Sequence, residues 1–155
     1  MQNTPNYHYC LLGAIGWDHP HWNGTVYPDD LPAEWRLNYY NTLFECVYLP
    51  YADWHAVPLE TLQAWHHTTL DHFRFLLEPP PEANPAPAQL AALGEKALLV
   101  HPAMSLLWLA PEIPLKQLAQ SLQALENARP IYLVSRSGDF AQLEQGRILL
   151  EVMGY

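Results

Sequence analysis

Residues 9–22 read YCLLGAIGWDHPHW, an unbroken apolar run followed by a loop crowded with two tryptophans, two histidines and an aspartate. The run at residues 9–15 does not alternate apolar with polar side chains. It therefore predicts a strand covered on both faces, the situation of a parallel sheet beneath helices. Four further runs at residues 44–49, 73–77, 97–101 and 131–135 have the same character. Helical patterns lie between them. Pro32, with Asp29 and Asp30 before it, suits the start of the first, whose expected stripe is Leu31, Trp35, Tyr39 and Leu43. Pro58 opens the second, with Leu59, Leu62 and Trp65 on one face; residues 88–93 form a short third, closed by Gly94. Pro114 opens the fourth, with Leu115, Leu118, Leu122 and Leu125 as its stripe, and Asp139 caps the last. Five strands alternating with five helices predict a single α/β domain over residues 1–155, mostly parallel, with right-handed crossovers.

The chain has 155 residues and a formal charge of −9. Half of it is apolar and 15% is charged, which excludes general disorder. Nucleic acid is a poor partner, because phosphate binding needs clustered lysine and arginine and no two of the seven here are adjacent. No apolar run approaches the roughly 20 residues of a membrane helix. The beginning lacks the basic and apolar regions of a signal peptide. Two cysteines, Cys10 and Cys46, both inside apolar runs, are too few for a disulfide scaffold. Together these features predict a soluble cytoplasmic protein with buried thiols and no membrane partner. Residues 79–87, PPPEANPAP, form a proline-rich stretch read as a linker inside the domain.

Candidate chemistry gathers at the strand ends, where parallel α/β proteins bind ligands. Trp17, Asp18, His19, His21 and Trp22 follow the first strand and suit an aromatic-walled polar pocket; they equally suit a structural loop whose indoles plug the sheet end. His19 and His21 also sit close enough in sequence to share a metal, but only Asp18 adds an acid nearby, and a third ligand would have to come from His101. No metal and no cofactor are therefore expected. His66, His67 and His72 read as solvent-facing residues at a helix end. Ser135-Arg136-Ser137-Gly138 suits either an anion-holding turn or a capped turn.

Several of these residues resemble a known family. Ile15-Gly16-Trp17, Trp22, Gly24, Tyr27-Pro28, Leu31-Pro32, Trp35 and Tyr39-Tyr40 are similar to the opening of the YecE-like family, domain of unknown function 72. The similarity continues through Phe44, Val47, Trp65 and Phe73-Arg74-Phe75, with weaker likeness around His101, Trp108 and residues 131–134. The resemblance implies a TIM-barrel-like fold and no established reaction. It also implies departures at the barrel mouth. The positions of the family's Glu and Asn hold Tyr48 and Pro50, that of its Lys holds Glu78, that of its Arg holds Leu99, and those of its Asn pair hold Arg136 and Ser137, while its His is kept as His101. A complete (β/α)8 barrel takes about 250 residues. The chain is thus expected to be incomplete, with about five strands and about three βα units missing near the proline-rich stretch. Trp17, Asp18, His19, His21, Trp22, Tyr48, Glu78, His101 and Arg136 are the ligand-binding candidates. The leading expectation is a non-catalytic binding or interaction protein, its partner a second copy, another protein or a small molecule. The alternative is a small hydrolytic or metal-dependent enzyme using His19, His21 and His101 with Asp18.

Overall fold

The structure is a computed structural model and describes residues 10–125 and 130–155. Residue 9, the first of the expected opening run, lies outside the described residues. Six parallel strands form one sheet: β1 (Cys10–Ile15), β2 (Cys46–Leu49), β3 (Arg74–Leu77), β4 (Ala97–Leu99), β5 (Ser105–Leu109) and β6 (Ile131–Ser135). Their order across the sheet is β4-β3-β2-β1-β6-β5. The helices are α1 (Arg36–Leu43), α2 (Tyr51–Trp54), α3 (Leu59–Thr68), α4 (Pro87–Leu93), α5 (Leu115–Ala124) and α6 (Phe140–Met153).

The sheet curls into a half-barrel. Tyr48 on β2 and Trp108 on β5 have β1 and β6 between them, yet their ring centroids lie 5.4 Å apart. In a flat sheet three strand spacings would separate them by about 14 Å. Alternate residues divide between two cores. Leu12, Ala14, Val47, Leu49, Phe75, Leu77 and Leu133 pack on helix residues such as Leu37, Leu62, Leu118 and Leu143. Leu11, Cys46, Leu76, Tyr132 and Val134 face the concave side, where Tyr48, Leu98, Met104, Leu106 and Trp108 pack against them. Both faces are apolar, which is why the strand sequences show no alternation. Cys10 and Cys46 are buried and form no disulfide.

Six strands replace the expected five. The additional one, β5, follows β4 after residues 100–104 alone. Neighbouring parallel strands need a crossover of about a dozen residues or more, so the sequence gives no room for two strands there. The structure meets this limit by putting β4 and β5 on opposite edges of the sheet. The barrel wall is therefore open between β4 and β5, and not at residues 79–87. That stretch, with a turn closed by Asn84 N–H on the Pro81 carbonyl at 2.9 Å, lies in the crossover from β3 through α4 to its neighbour β4. β4 also ends sooner than expected. Val100 N–H still reaches the Leu77 carbonyl at 2.9 Å, but Met104 N–H then closes a turn on the His101 carbonyl at 3.0 Å, so His101 sits exposed in the connection.

The stripe expected on the first helix is also corrected. Residues 33–35 are a 3-10 turn, which shifts the helical phase, so α1 buries Leu37, Tyr40 and Asn41 and leaves Trp35 59% exposed. Asn41 is tolerated inside because its amide donates to the Asn38 carbonyl at 2.6 Å and its oxygen accepts from Leu70 N–H at 2.9 Å. Lys96, only 3% exposed, is satisfied in the same way: its ammonium donates to the carbonyls of His66 and Thr69 at 2.6 and 2.8 Å and to the Thr69 hydroxyl at 3.1 Å, capping the end of α3. Burial pushes its pKa down, and Asp71 works against that shift.

Tyr40 joins α1 to the sheet. Its hydroxyl accepts from Ala14 N–H at 2.8 Å and donates to the Cys46 carbonyl at 2.7 Å, so it stands between β1 and β2. Beside it β1 and β2 approach closely, because Gly13 has no side chain: a Cβ there would collide with the Cys46 carbonyl. Tyr40→Phe leaves two buried backbone groups without a partner, and we expect it to lower stability by on the order of 2–3 kcal/mol. Thr42→Val, on the exposed side of the same helix, is expected to change it by less than about 0.5 kcal/mol. Urea unfolding of the two variants checks the contrast.

Candidate functional site

The carboxyl ends of β1, β2 and β3 and the loops leaving them form the mouth of the half-barrel. Gly16 turns the chain out of β1 at φ 70, its N–H held by the Tyr48 carbonyl at 2.9 Å. Trp17 follows, 9% exposed, and meets Trp65 of α3 edge to face at 4.8 Å between centroids. Ile15, Gly16, Leu49 and Val57 complete an apolar floor, and Asp18 and Asp53 stand at the rim of a cleft of about 380 Å³. Asp18 accepts a hydrogen bond from Arg36 at 3.0 Å, while among the described residues Asp53 forms no ion pair. Trp17 is fixed from behind, its carbonyl accepting from the Tyr27 hydroxyl at 2.7 Å. Trp65 is fixed by stacking on Phe75 at 6.1 Å.

The remaining loop candidates go elsewhere. Trp22 is fully buried, and its indole N–H donates to the Gly138 carbonyl at 2.7 Å. His21 is exposed, its Nε2 3.0 Å from the same carbonyl. His19 is half-buried, 4.4 Å from Trp22 between ring centroids, with Nε2 3.2 Å from the Gly16 carbonyl. Its ring lies over Gly138, where a Cβ would come within 2.6 Å. Gly138, at φ 72, has its N–H held by Ser135 Oγ at 3.0 Å. These residues lash the loop after β1 to the loop after β6.

A third group lies on the concave side. Tyr48 packs on Trp108, and the Arg136 guanidinium sits 4.7 Å over the same indole. Burial pushes the Tyr48 phenol pKa up, and Glu78 adds to the shift. Glu78 itself caps α2: its carboxylate accepts from Tyr51 N–H at 2.8 Å, and its carbonyl accepts from Trp54 Nε1 at 3.1 Å. His101 lines a different cleft with Met104, Ser105, Pro130 and Tyr132, beside the starts of β5 and β6. The length of β6 thus separates His101 from His19 and His21, which meet Gly138 beyond the strand's other end. The triad of histidines needed for the metal or hydrolytic alternative is not assembled, and among the described residues no three His, Cys, Asp or Glu side chains form a metal-holding group. His66, expected in solvent, is half-buried with Nδ1 2.7 Å from the Leu93 carbonyl.

The sequence marks Trp17 and Asp18 as candidates but carries no mark of Trp65 and Asp53, which line the same cleft. Trp65 carries the i, i+3 signature of ordinary helix packing, and Asp53 lies on α2, a four-residue helix with no periodicity to detect.

Residues 11–83 match the family described as Protein of unknown function DUF72. Among solved structures, the chain is similar to a DUF72 family protein from Thermotoga maritima, with 19% identity and a TM-score of 0.49 over 89% of this chain and 62% of that one. The chain thus spans less than two thirds of the length of that protein. No curated protein matches it. No helix among the described residues is long and apolar enough to cross a membrane.

Burial pushes the His19 imidazole below its usual 6.5, and the neighbouring His21 adds to the shift. The folded chain therefore holds that proton less well than the unfolded chain. Stability is expected to be level above the unfolded-state value and to fall as pH drops through it, down to the lower folded-state value. His19→Gln removes this contribution, so the difference in urea midpoint between wild type and variant should change between pH 8 and pH 5; a constant difference contradicts the assignment.

Proposed function

We propose, on the premise that residues 11–83 are those of a DUF72 family member, that this protein is a non-catalytic binding protein for a small organic cation seated in the cleft beside the Trp17–Trp65 pair. The observation that carries the reading is the wall of the cleft: two indoles, an apolar floor, the carboxylate of Asp18, which also holds Arg36, and that of Asp53, which among the described residues pairs with no base. Indole faces attract cations through their quadrupole, and carboxylates pair with ammonium groups. A volume of about 380 Å³ suits a small ligand, and the formal charge of −9 raises the local concentration of cations. The supports for Trp17 and Trp65 make the aromatic corner rigid before any ligand arrives, which lowers the ordering cost of binding.

The test is a tryptophan-fluorescence titration with a primary alkylamine, against the neutral alcohol of the same length. We expect saturable quenching by the amine, lost in Trp65→Leu, and an affinity about two- to fivefold weaker in Asp53→Asn. Equal binding of the alcohol overturns the reading.

A second reading, self-association, is favoured by the sheet edges. Among the described residues, neither β4 nor β5 has a strand on its outer side, and residues 105–108 of β5 are all partly exposed. Unpaired edges of this kind invite a partner, and a two-fold homodimer burying on the order of 1,000 Å² in total would cover them. Sedimentation at micromolar concentration is expected to give twice the 17.7 kDa chain mass; the single-chain mass at every dilution contradicts it. A cytoplasmic location fits two buried thiols that form no disulfide.

A further inference from the structure

The cleft that holds His101 lies away from the mouth and has a volume of about 400 Å³. Tyr132 of β6 lines it and is 6% exposed, packed on the concave side of the sheet. A phenol buried this far ordinarily has a hydrogen-bond partner. Among the described residues the Tyr132 hydroxyl has none, and neither have the Ser105 hydroxyl and the His101 ring, which line the same cleft. The Tyr132 oxygen is nonetheless open to the hollow: among the described residues, the side-chain atoms that are both sealed and unpartnered are Arg36 Nε and Gln142 Oε1. Three hydrogen-bonding groups from three stretches of chain thus border one hollow with no described group to bind. The rest of its wall is apolar, with Leu98, Met104 and Pro130, and no acid lines it. We infer that this cleft binds a short aliphatic carboxylate, whose oxygens accept from the Tyr132 and Ser105 hydroxyls and whose chain lies against Leu98, Met104 and Pro130. The site is a different cleft from that of Trp17 and Trp65 and takes a ligand of opposite charge, so it stands or falls apart from the cation reading.

The charge that bears on the Tyr132 hydroxyl is positive, although the whole chain is acidic. Arg74 stands two positions before Leu76 on β3, so strand alternation puts it on the concave face. Its Nη1 donates to the Asp71 and Phe73 carbonyls at 2.7 and 2.9 Å, and among the described residues its guanidinium forms no ion pair. Burial pushes the Tyr132 pKa up, Cys46 adds to the shift and Arg74 works against it. The phenol therefore keeps its proton at neutral pH and can donate it. A cation finds no carboxylate in this cleft, and among the described residues no group of side chains could hold a metal. A phosphate calls for arginine or lysine in contact, and neither lines the cleft. A carboxylate calls for two or three donors, and an apolar tail uses the wall that remains.

The experiment titrates the full chain at fixed ionic strength with sodium hexanoate, then with hexanol, and follows the amide NMR shifts. Hexanoate is expected to give saturable shifts at residues 103–106 and 131–133. It should bind about tenfold more tightly than hexanol, because hydrogen bonds to an ionised acceptor are about twice as strong as neutral ones. Tyr132→Phe keeps the apolar packing and removes the hydroxyl. It is expected to weaken hexanoate about tenfold and to leave hexanol within about twofold. Ser105→Ala is expected to weaken hexanoate about threefold, and circular dichroism confirms that each variant folds. Equal affinity for hexanoate and hexanol leaves an apolar groove only and overturns the inference. So does a Tyr132→Phe chain that binds hexanoate as well as wild type. If that variant fails to fold, Ser105→Ala decides, and unchanged affinity there overturns the inference. Shifts confined to the surroundings of Trp17 and Trp65 put the acid in the other cleft and overturn it too, as does the absence of saturable shifts.

Discussion

An incomplete barrel must hide its concave face without a closed wall to do so. Everything distinctive in this chain follows from that constraint. In a full barrel the interior is filled by layers of side chains contributed from all around. Here six strands must bring both halves of the interior together, and they do so by curling until Tyr48 meets Trp108. Large side chains on the concave side make this possible, because each reaches further than the aliphatic residues of an ordinary barrel layer. Tyr48, Trp108, Tyr132 and Met104 pack together on that side. The apparent loss at the position of Tyr48, where the family resemblance leads one to expect a carboxylate, has a physical sense. A phenol there supplies apolar area against Trp108 without bringing a charge into the packing.

The same constraint explains how the loops are held. The loop after β1 cannot lean on loops from a complete ring of strands, so it is lashed sideways to the loop after β6. Trp22 and His21 both reach the Gly138 carbonyl, and His19 fills the space left by the missing Gly138 side chain. These residues attract notice in the sequence because they are aromatic, polar and crowded. In three dimensions they secure a scaffold, and that security positions Trp17 and Asp18 next to Trp65.

The alternation of strands and helices was legible because apolar runs, prolines at helix starts and Gly94 at a helix end are local signals, and local signals survive folding. The helix caps at Pro114 and Asp139 were read for the same reason. What escaped was whatever depends on residues far apart. β5 was hidden because five intervening residues forbid a neighbouring strand, though they permit one on the opposite edge. The spacing of Trp35 fits the buried face of a helix, yet a 3-10 turn alters the phase. Trp65 and Asp53 carry no mark in the sequence that ties them to Trp17, since the association is made by the curl of the sheet and the placement of α2 and α3.

Lys96 has a practical consequence of a different kind. The chain contains two lysines, Lys96 and Lys116. The ammonium of Lys96 is wrapped by two carbonyls and a hydroxyl, while Lys116 stands in solvent on α5. Reagents that acylate amines thus meet one open side chain and one sealed one. The rate at which Lys96 becomes labelled is a clock for the opening of the corner between α3 and β4, set by the fold rather than by the intrinsic chemistry of the amine.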